Sequence, residues 1–191
     1  MVTLYQIRSG SMVAPPNLPS QLHPTEKVEI LLLNGEAAIL PLCHPVFSEW
    51  AGALPRFDYG KKPVLEYKGE ACFAELVILR LLLERGWEGA WVETYGGTHY
   101  LRSMPEAWNL KSGNVTIPEI MELLLKRIWK AGNTTACFDV FAWQGNQIVF
   151  CEAKRSGKDR LTSAQLKFIQ GALACGVSQD VMLIVEWSVS K

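Results

Sequence analysis

Two carboxylates and one lysine stand where a β-hairpin would bring them together. Gly145-Asn146 is a two-residue turn of a favoured hairpin type, with strand-like apolar runs on both sides. If these two residues form the loop, Asp139 lies directly opposite Glu152, with Cβ atoms roughly 4.5–5.5 Å apart. Side chains alternate along a strand, so Lys154 lies on the same face as Glu152. The spacing therefore predicts three ionisable groups on one face of the hairpin.

Two opposed carboxylates repel each other, and a nearby positive charge must offset the free-energy cost of this repulsion. A divalent cation between them would do so, and oxygen-only ligands suit Mg²⁺ or Mn²⁺, with water and a phosphate completing the shell. Lys154 would then contact the attacking water or a phosphate oxygen. A structural salt-bridge cluster, in which Lys154 neutralises one acid, is the alternative.

Two further features bear on this choice. Glu75 lies in a strongly apolar helical segment, residues 73–83. A carboxylate there either lies on a solvated face of the helix or points toward a specific partner. For this residue taken alone, the solvated face is the stronger interpretation. Directly after the strand, residues 154–160 hold four of the nineteen basic residues around a glycine. Such a loop could bind a phosphate backbone through Arg155, Lys158 and Arg160. A solvated turn is the common alternative for a charge run.

The elements that would position these groups lie in residues 69–191. Apolar periodicity predicts helices at 70–85, 118–130 and 162–174, and strands at 91–95, 136–143, 147–154 and 181–187, with a loop following residue 95. Helices that alternate with strands in this way favour an α/β domain with a mixed central sheet flanked by helices.

Residues 1–68 form a second region of different composition. Short strand-like runs at 2–7, 28–33 and 37–40 are separated by turn signals, and eight of the ten prolines lie here. Asn34-Gly35 between two of the runs predicts a hairpin. We therefore expect a small β-rich N-terminal elaboration, whose role the residues do not indicate.

Composition excludes several classes of protein. With 49% apolar and 20% charged residues, a chain of 191 residues can bury a core, which excludes wholesale disorder. The formal net charge of zero excludes a global basic field, so a polyanion would have to meet a local patch. No leader segment or membrane-length apolar run is visible, which predicts a cytoplasmic protein without a membrane partner. Five cysteines without CxxC spacing argue against a zinc site.

The order Glu75, Asp139, Glu152-Ala153-Lys154 resembles the PD-(D/E)xK nuclease superfamily. Residues 150–169 are more closely similar to its VRR-NUC branch, which has an E-x-K strand, a short basic loop with Asp-Arg-Leu, a Ser or Thr, and a Gln that opens the next helix. Gln165 falls at that Gln. The resemblance covers roughly residues 69–187. It departs at position 138, where a phenylalanine replaces the proline that many members have.

This resemblance implies a restriction-endonuclease-like core of order αβββαβ and metal-dependent hydrolysis of DNA phosphodiesters. Asp139, Glu152 and the Ala153 carbonyl would hold Mg²⁺ or Mn²⁺, with Glu75 binding or supporting the ion from its helix. Lys154 would orient or activate the water. Branched or flapped DNA and a homodimer are the partners that the resemblance suggests.

Gln165 would border this site, but it has a structural competitor. The run 162–165, Thr-Ser-Ala-Gln, is a capping box in which Gln165 would cap the backbone N–H of Thr162, and both roles are compatible. Two other functions also remain open. One is a catalytically inactive nucleic-acid-binding module on the same fold, and the other is a protein-interaction module that works through residues 1–68.

Overall fold

A computed structural model describes residues 17–56, 61–95, 98–104, 108–109 and 114–190, together with the backbone of residues 6–8. Residues 2–5 of the first predicted strand lie outside this set. The strands are β1 (Gln6–Arg8), β2 (Glu26–Leu31), β3 (Ala37–Cys43), β4 (Val46–Glu49), β5 (Leu65–Tyr67), β6 (Glu70–Cys72), β7 (Glu88–Tyr95), β8 (Thr98–Arg102), β9 (Val140–Gln144), β10 (Gln147–Arg155) and β11 (Met182–Ser190). The helices are α1 (Ala74–Glu84), α2 (Glu119–Gly132) and α3 (Ser163–Ala174).

The strands form a mixed sheet in the order β1-β2-β3-β11-β10-β9-β7-β8, and β4, β5 and β6 branch from β11. Strand β11 runs parallel to β10, β3 and β4, while the other pairs are antiparallel. An α/β architecture with a mixed sheet is thus confirmed. The predicted loop after residue 95 is wrong in part, because residues 98–102 pair with β7 as a further strand. None of the described helices has the length and apolar composition needed to cross a lipid bilayer.

The central hairpin has the predicted register. Gln147 pairs with Gln144, and the ladder continues through Phe150 with Phe141 to Cys151 with Val140. Gly145 has a φ of 59°, which a two-residue hairpin turn of this kind requires. The same register carries Asp139, one residue before β9, to a position opposite Glu152.

Alternation along these two strands divides the buried side chains between the faces of the sheet. Val140 and Cys151 belong to the apolar core under α1. Phe141 and Phe150 belong to the core under α2 and α3, where their rings stack with centroids 4.6 Å apart. Helices therefore cover both faces, as the sequence predicts.

Helices α2 and α3 cross at two glycines, which fixes the position of α3 over the sheet. A Cβ on Gly171 would lie 2.3 Å from the carbonyl oxygen of Ile128, and one on Gly132 would lie 2.3 Å from that of Lys167. Both positions therefore exclude a side chain. This close approach positions the first turn of α3, which carries Gln165.

The described part of residues 17–68 is continuous with the rest of the sheet. Strands β3 and β4 each pair with β11, and the predicted hairpin at Asn34-Gly35 joins β2 to β3. Leu22 and Leu65 lie in the α1-side core, whereas Ile30 and Leu40 lie in the α2/α3-side core. The N-terminal strands thereby extend the sheet beyond β11 on the side that borders the candidate site.

Candidate functional site

Glu152 is the most deeply buried charged residue among those described, with 1% of its surface exposed. Its Oε1 accepts hydrogen bonds from Lys154 Nζ at 2.7 Å and from Gln165 Nε2. Its Oε2 is also buried, yet it accepts no hydrogen bond from any donor in the described part of the chain. A buried carboxylate oxygen without a donor is costly, and its retention calls for an explanation.

Asp139 lies against Glu152, as the hairpin register predicts. One carboxylate oxygen, Oδ2, accepts a hydrogen bond from the Ala153 backbone N–H at 2.9 Å. The N–H and C=O of one strand residue point toward the same neighbouring strand, so the Ala153 carbonyl faces the Asp139 side as well. Burial and the nearby Glu75 raise the pKa of Asp139 to about 6, although Lys62 and Lys154 act in the opposite direction.

The carboxyl groups of Asp139 and Glu152 lie within hydrogen-bonding reach of each other. Burial, and then the charge of Asp139, raise the pKa of Glu152 well above its ordinary value, while Lys154 lowers it. Two buried carboxylates in contact cannot both ionise without a compensating cation. In the metal-free protein they therefore titrate as a pair that retains a proton above the ordinary range for acids.

Lys154 is two residues beyond Glu152 on β10 and lies on the same face. Its ammonium group donates to Glu152 and also to Oε1 of Gln165, at 3.2 Å. Burial alone would lower the pKa of Lys154, but the Glu152 carboxylate and the more distant Asp139 raise it above the ordinary value. Lys154 is therefore a fixed positive charge at this site.

Gln165 forms the predicted helix cap and also contacts Glu152 and Lys154. Its Oε1 accepts from the Thr162 backbone N–H at 2.8 Å, and Thr162 Oγ1 accepts from the Gln165 N–H at 3.3 Å, which completes the capping box of α3. The amide Nε2 remains free to donate to Glu152, and it does so. Helix capping thus orients one side chain that also holds two of the site residues, Glu152 and Lys154.

Glu75 occupies the first turn of α1, and the expectation of a solvated helix face is wrong. Only 9% of its surface is exposed, and its carboxylate is close enough to raise the pKa of Asp139. Its carboxylate is ion-paired with Lys62. Its role in binding or supporting a metal ion stays a prediction.

Lys62 is the residue that sequence reasoning misses. Its ammonium lies 5.4 Å from the centroid of the Phe73 ring and bonds Glu75. Burial would lower the pKa of Lys62, but Glu75, and then Asp139 and Glu152, raise it. Position 62 carries no motif and lies outside the segment that resembles a nuclease, so no sequence signal could have found it.

Oxygen ligands of the kind that Mg²⁺ and Mn²⁺ prefer converge here. Asp139 and Glu152 are in contact, the Ala153 carbonyl faces them, and the unpaired Glu152 Oε2 is an available acceptor. No group of three or more His, Cys, Asp or Glu side chains in the described part of the chain is arranged to hold a metal ion, and Glu75 is engaged with Lys62. A hard divalent ion at this place would therefore have to be held by the two carboxylates of Asp139 and Glu152 together with other oxygens.

The basic loop begins where β10 leaves this cluster. Asp159 accepts from the Arg155 N–H at 2.8 Å, and the Lys158 N–H donates to the Arg155 carbonyl at 3.0 Å, so these hydrogen bonds close the loop backbone into a turn. The side chains of Arg155, Lys158 and Arg160 are exposed, with the Arg155 guanidinium 5.9 Å from the centroid of a Trp187 ring. The loop thus presents positive charge to solvent beside the buried carboxylates.

Comparisons with protein-family models, with curated proteins and with solved structures find no match to the chain. The resemblance to PD-(D/E)xK nucleases therefore rests only on the residues of this sequence that match the motif. These residues form one cluster: Glu75, Asp139, Glu152, Lys154 and Gln165.

Proposed function

We propose that this protein is a divalent-metal-dependent nuclease that hydrolyses phosphodiester bonds in DNA. The observation that carries the proposal is Glu152, a buried carboxylate that lies against the carboxyl group of Asp139 and has one oxygen to which no N–H group or hydroxyl of the described residues donates. A purely structural ion pair in a protein interior normally satisfies both oxygens, since an unpaired one costs stability. An arrangement that costs stability in the metal-free state is expected where function needs it.

Mg²⁺ or Mn²⁺ would be held by Asp139, Glu152 and the Ala153 carbonyl, with Glu75 in support. When bound, such an ion polarises a phosphoryl oxygen and lowers the pKa of a water molecule. Lys154 is a fixed ammonium beside these ligands, and it would orient the attacking water or stabilise negative charge on the phosphate. Gln165 would act as a positioning residue, since its amide holds both Glu152 and Lys154.

DNA is the substrate that the surroundings of the site favour. The exposed loop with Arg155, Lys158 and Arg160 follows β10 directly, so a phosphate backbone bound to it would pass the carboxylates. The chain as a whole is neutral, so binding should be modest and should depend on metal. The resemblance extends this proposal to branched or flapped DNA and to a homodimer in the cytoplasm.

A second candidate, a nucleic-acid-binding module that does not cleave, has one observation in its favour. Lys62 and Lys154 already neutralise Glu75 and Glu152 in part. If the protein is such a module, Mn²⁺ should not bind, and calorimetric titration with Mn²⁺ should give the same result for the wild type and for Glu152→Ala. Metal binding that Glu152→Ala abolishes would exclude this candidate.

The decisive test is cleavage by the purified protein of linear, nicked, flapped and four-way DNA with Mg²⁺ or Mn²⁺. Asp139→Ala and Lys154→Ala should each abolish cleavage. Glu122→Ala and Lys126→Ala are matched controls, because this exposed acid and lysine form an ion pair on α2 away from the site. Cleavage that survives in Asp139→Ala or Lys154→Ala would contradict the assigned roles.

A further inference from the structure

A cavity of about 160 Å³ opens beside Lys154, between the start of the basic loop and the strands that the N-terminal region adds to the sheet. Its floor is apolar and consists of Val28 on β2, Leu42 on β3 and Ile184 on β11. Leu42 and Ile184 are paired residues of neighbouring strands. Leu161, from the segment that leads into α3, adds a fourth apolar side chain.

The size of this cavity corresponds to one six-membered ring. An apolar cavity of roughly 150 Å³ in a protein interior is large enough to take up benzene. The floor is fixed, since Val28 and Leu42 are at least 95% buried in strands. The enclosed part therefore suits a single planar ring, and the second ring of a purine would project from the open side of the cavity.

The rim of the cavity carries charge, and the charge decides which ring fits best. Glu186 and Lys154 are paired residues on β11 and β10, and Asp159 completes the rim. Glu186 also lies 3.4 Å from His44 Nδ1, and Asp159 accepts the Arg155 N–H, but the lining itself has two carboxylates and one ammonium group, which disfavours a phosphate inside the cavity. Carboxylate oxygens accept hydrogen bonds, and the exocyclic amino group of cytosine is the donor that Asp and Glu read on a base.

We infer that this cavity binds the base of a pyrimidine nucleotide, with cytosine preferred, next to the phosphate that the site cleaves. The inference rests on the proposed function, because only a phosphate near Lys154 would bring its own base to this rim. The N-terminal strands β2 and β3 then have a role, which is to build the floor of a base pocket. A base enters such a pocket only when it is unpaired, so single-stranded or flapped segments would be preferred over intact duplex.

The test uses the full-length, ¹⁵N-labelled protein without metal, titrated with 2′-deoxycytidine, thymidine, 2′-deoxyguanosine and 2-deoxyribose 5-phosphate. Deoxycytidine should shift the backbone amide resonances of Leu42, Leu161 and Ile184. Val28→Phe fills the space above the floor and should raise the dissociation constant for deoxycytidine roughly tenfold or more. Val46→Phe makes the same change on exposed β4, outside the cavity, and should leave binding unchanged.

A second variant, Glu186→Gln, keeps the cavity open and replaces one carboxylate by an amide. It should reduce the preference for deoxycytidine over thymidine, so that the inference remains testable if Val28→Phe does not fold. Deoxycytidine that binds no better than deoxyguanosine or the sugar phosphate, or equally well to folded Val28→Phe, would overturn the inference. A preference for cytosine that is unchanged in Glu186→Gln would also overturn it.

Failure of the base pocket can be told apart from failure of the nuclease proposal. Nucleoside binding needs neither metal nor cleavage, so binding without any DNA hydrolysis would contradict the nuclease alone. If the wild type cleaves DNA, Asp139→Ala does not, and the wild type binds no nucleoside, only the base-pocket inference is contradicted.

Discussion

Lys62 and Glu75 form an ion pair that joins the segment before β5 to the first turn of α1 beside the buried carboxylates. Lys62 donates no hydrogen bond to Glu152 Oε2, and no other N–H group or hydroxyl of the described residues does so. Lys62 therefore pairs with the helix carboxylate, and Lys154 is the ammonium group that contacts the pair of acids on the hairpin. A cation bound at those acids would be repelled by this lysine and attracted by Glu75.

Lys62→Met should destabilise the metal-free protein by about 2–3 kcal/mol, less than for a fully buried pair, because it leaves Glu75 without its partner. The double variant Lys62→Met/Glu75→Gln should recover most of that loss. Lys68→Met, which breaks an exposed pair with Glu84, should change stability by less than about 0.5 kcal/mol. Chemical denaturation measures all three changes.

Lys62→Met also tests how Lys62 affects the affinity of the site for metal. Removing a nearby positive charge should make Mn²⁺ bind several-fold more tightly to Lys62→Met than to the wild type in calorimetry. Weaker Mn²⁺ binding in a folded Lys62→Met protein would show that Lys62 supports the metal site and does not compete with it.

Glu152→Gln should stabilise the metal-free protein by about 1–3 kcal/mol at pH 8, since it removes one of two buried acids in contact while Asp139 remains as a counter-charge for Lys154. The amide keeps an oxygen that can accept from Lys154 and Gln165, and its N–H can donate to the neighbouring carboxylate. The same variant should bind no Mn²⁺. Glu122→Gln, on the exposed face of α2, is the matched control for both measurements. A large loss of stability in Glu152→Gln would favour a structural ion pair.

Stability of the metal-free protein should fall as the pH rises through about 6. The folded pKa of Asp139 is raised to about 6 by burial and by Glu75, so the folded state binds more protons than the unfolded state between pH 4 and 6. Stability therefore decreases with rising pH in this window, by roughly 3 kcal/mol in total, because the pKa of Asp139 rises from 3.8 to about 6 on folding. Denaturation at several pH values should show this slope in the wild type and a flatter one in Asp139→Asn, which also removes the charge of Asp139 that raises the pKa of Glu152. Equal slopes would contradict the assignment to Asp139.

Gln165 and Thr162 separate helix capping from site positioning. Thr162→Ala removes one half of the capping box and should cost about 1 kcal/mol of stability while DNA cleavage is retained. Gln165→Ala removes the cap and the contacts to Glu152 and Lys154, so it should lose cleavage as well. If both variants cleave equally per folded molecule, Gln165 has a capping role only.

Lys158→Ala and Arg160→Ala should weaken DNA binding to a similar degree for different sequences, because contacts to phosphate carry no base information. Each should reduce the slope of log affinity against log salt by about 1. Lys130→Ala, at the exposed end of α2, should leave both quantities unchanged. Fluorescence anisotropy at several salt concentrations measures affinity and slope together.

The sequence by itself determines the central part of the candidate site. A two-residue turn and strict alternation set the register of β9 and β10, so the contact between Asp139 and Glu152 follows from local geometry. The capping box of α3 is equally local, since Thr162 and Gln165 are three residues apart. These features depend on short-range sterics and hydrogen bonds, which nearby residues specify.

Only the tertiary structure decides what surrounds those groups. The burial of Glu75, its pairing with Lys62 and the floor formed by Leu42 and Ile184 all join residues that are distant in the chain. Strand β3 pairs with β11 across more than a hundred residues, and no local periodicity encodes a parallel pairing of that kind. The free energy of such contacts comes from burying whole faces together, so they become visible only when the chain is folded.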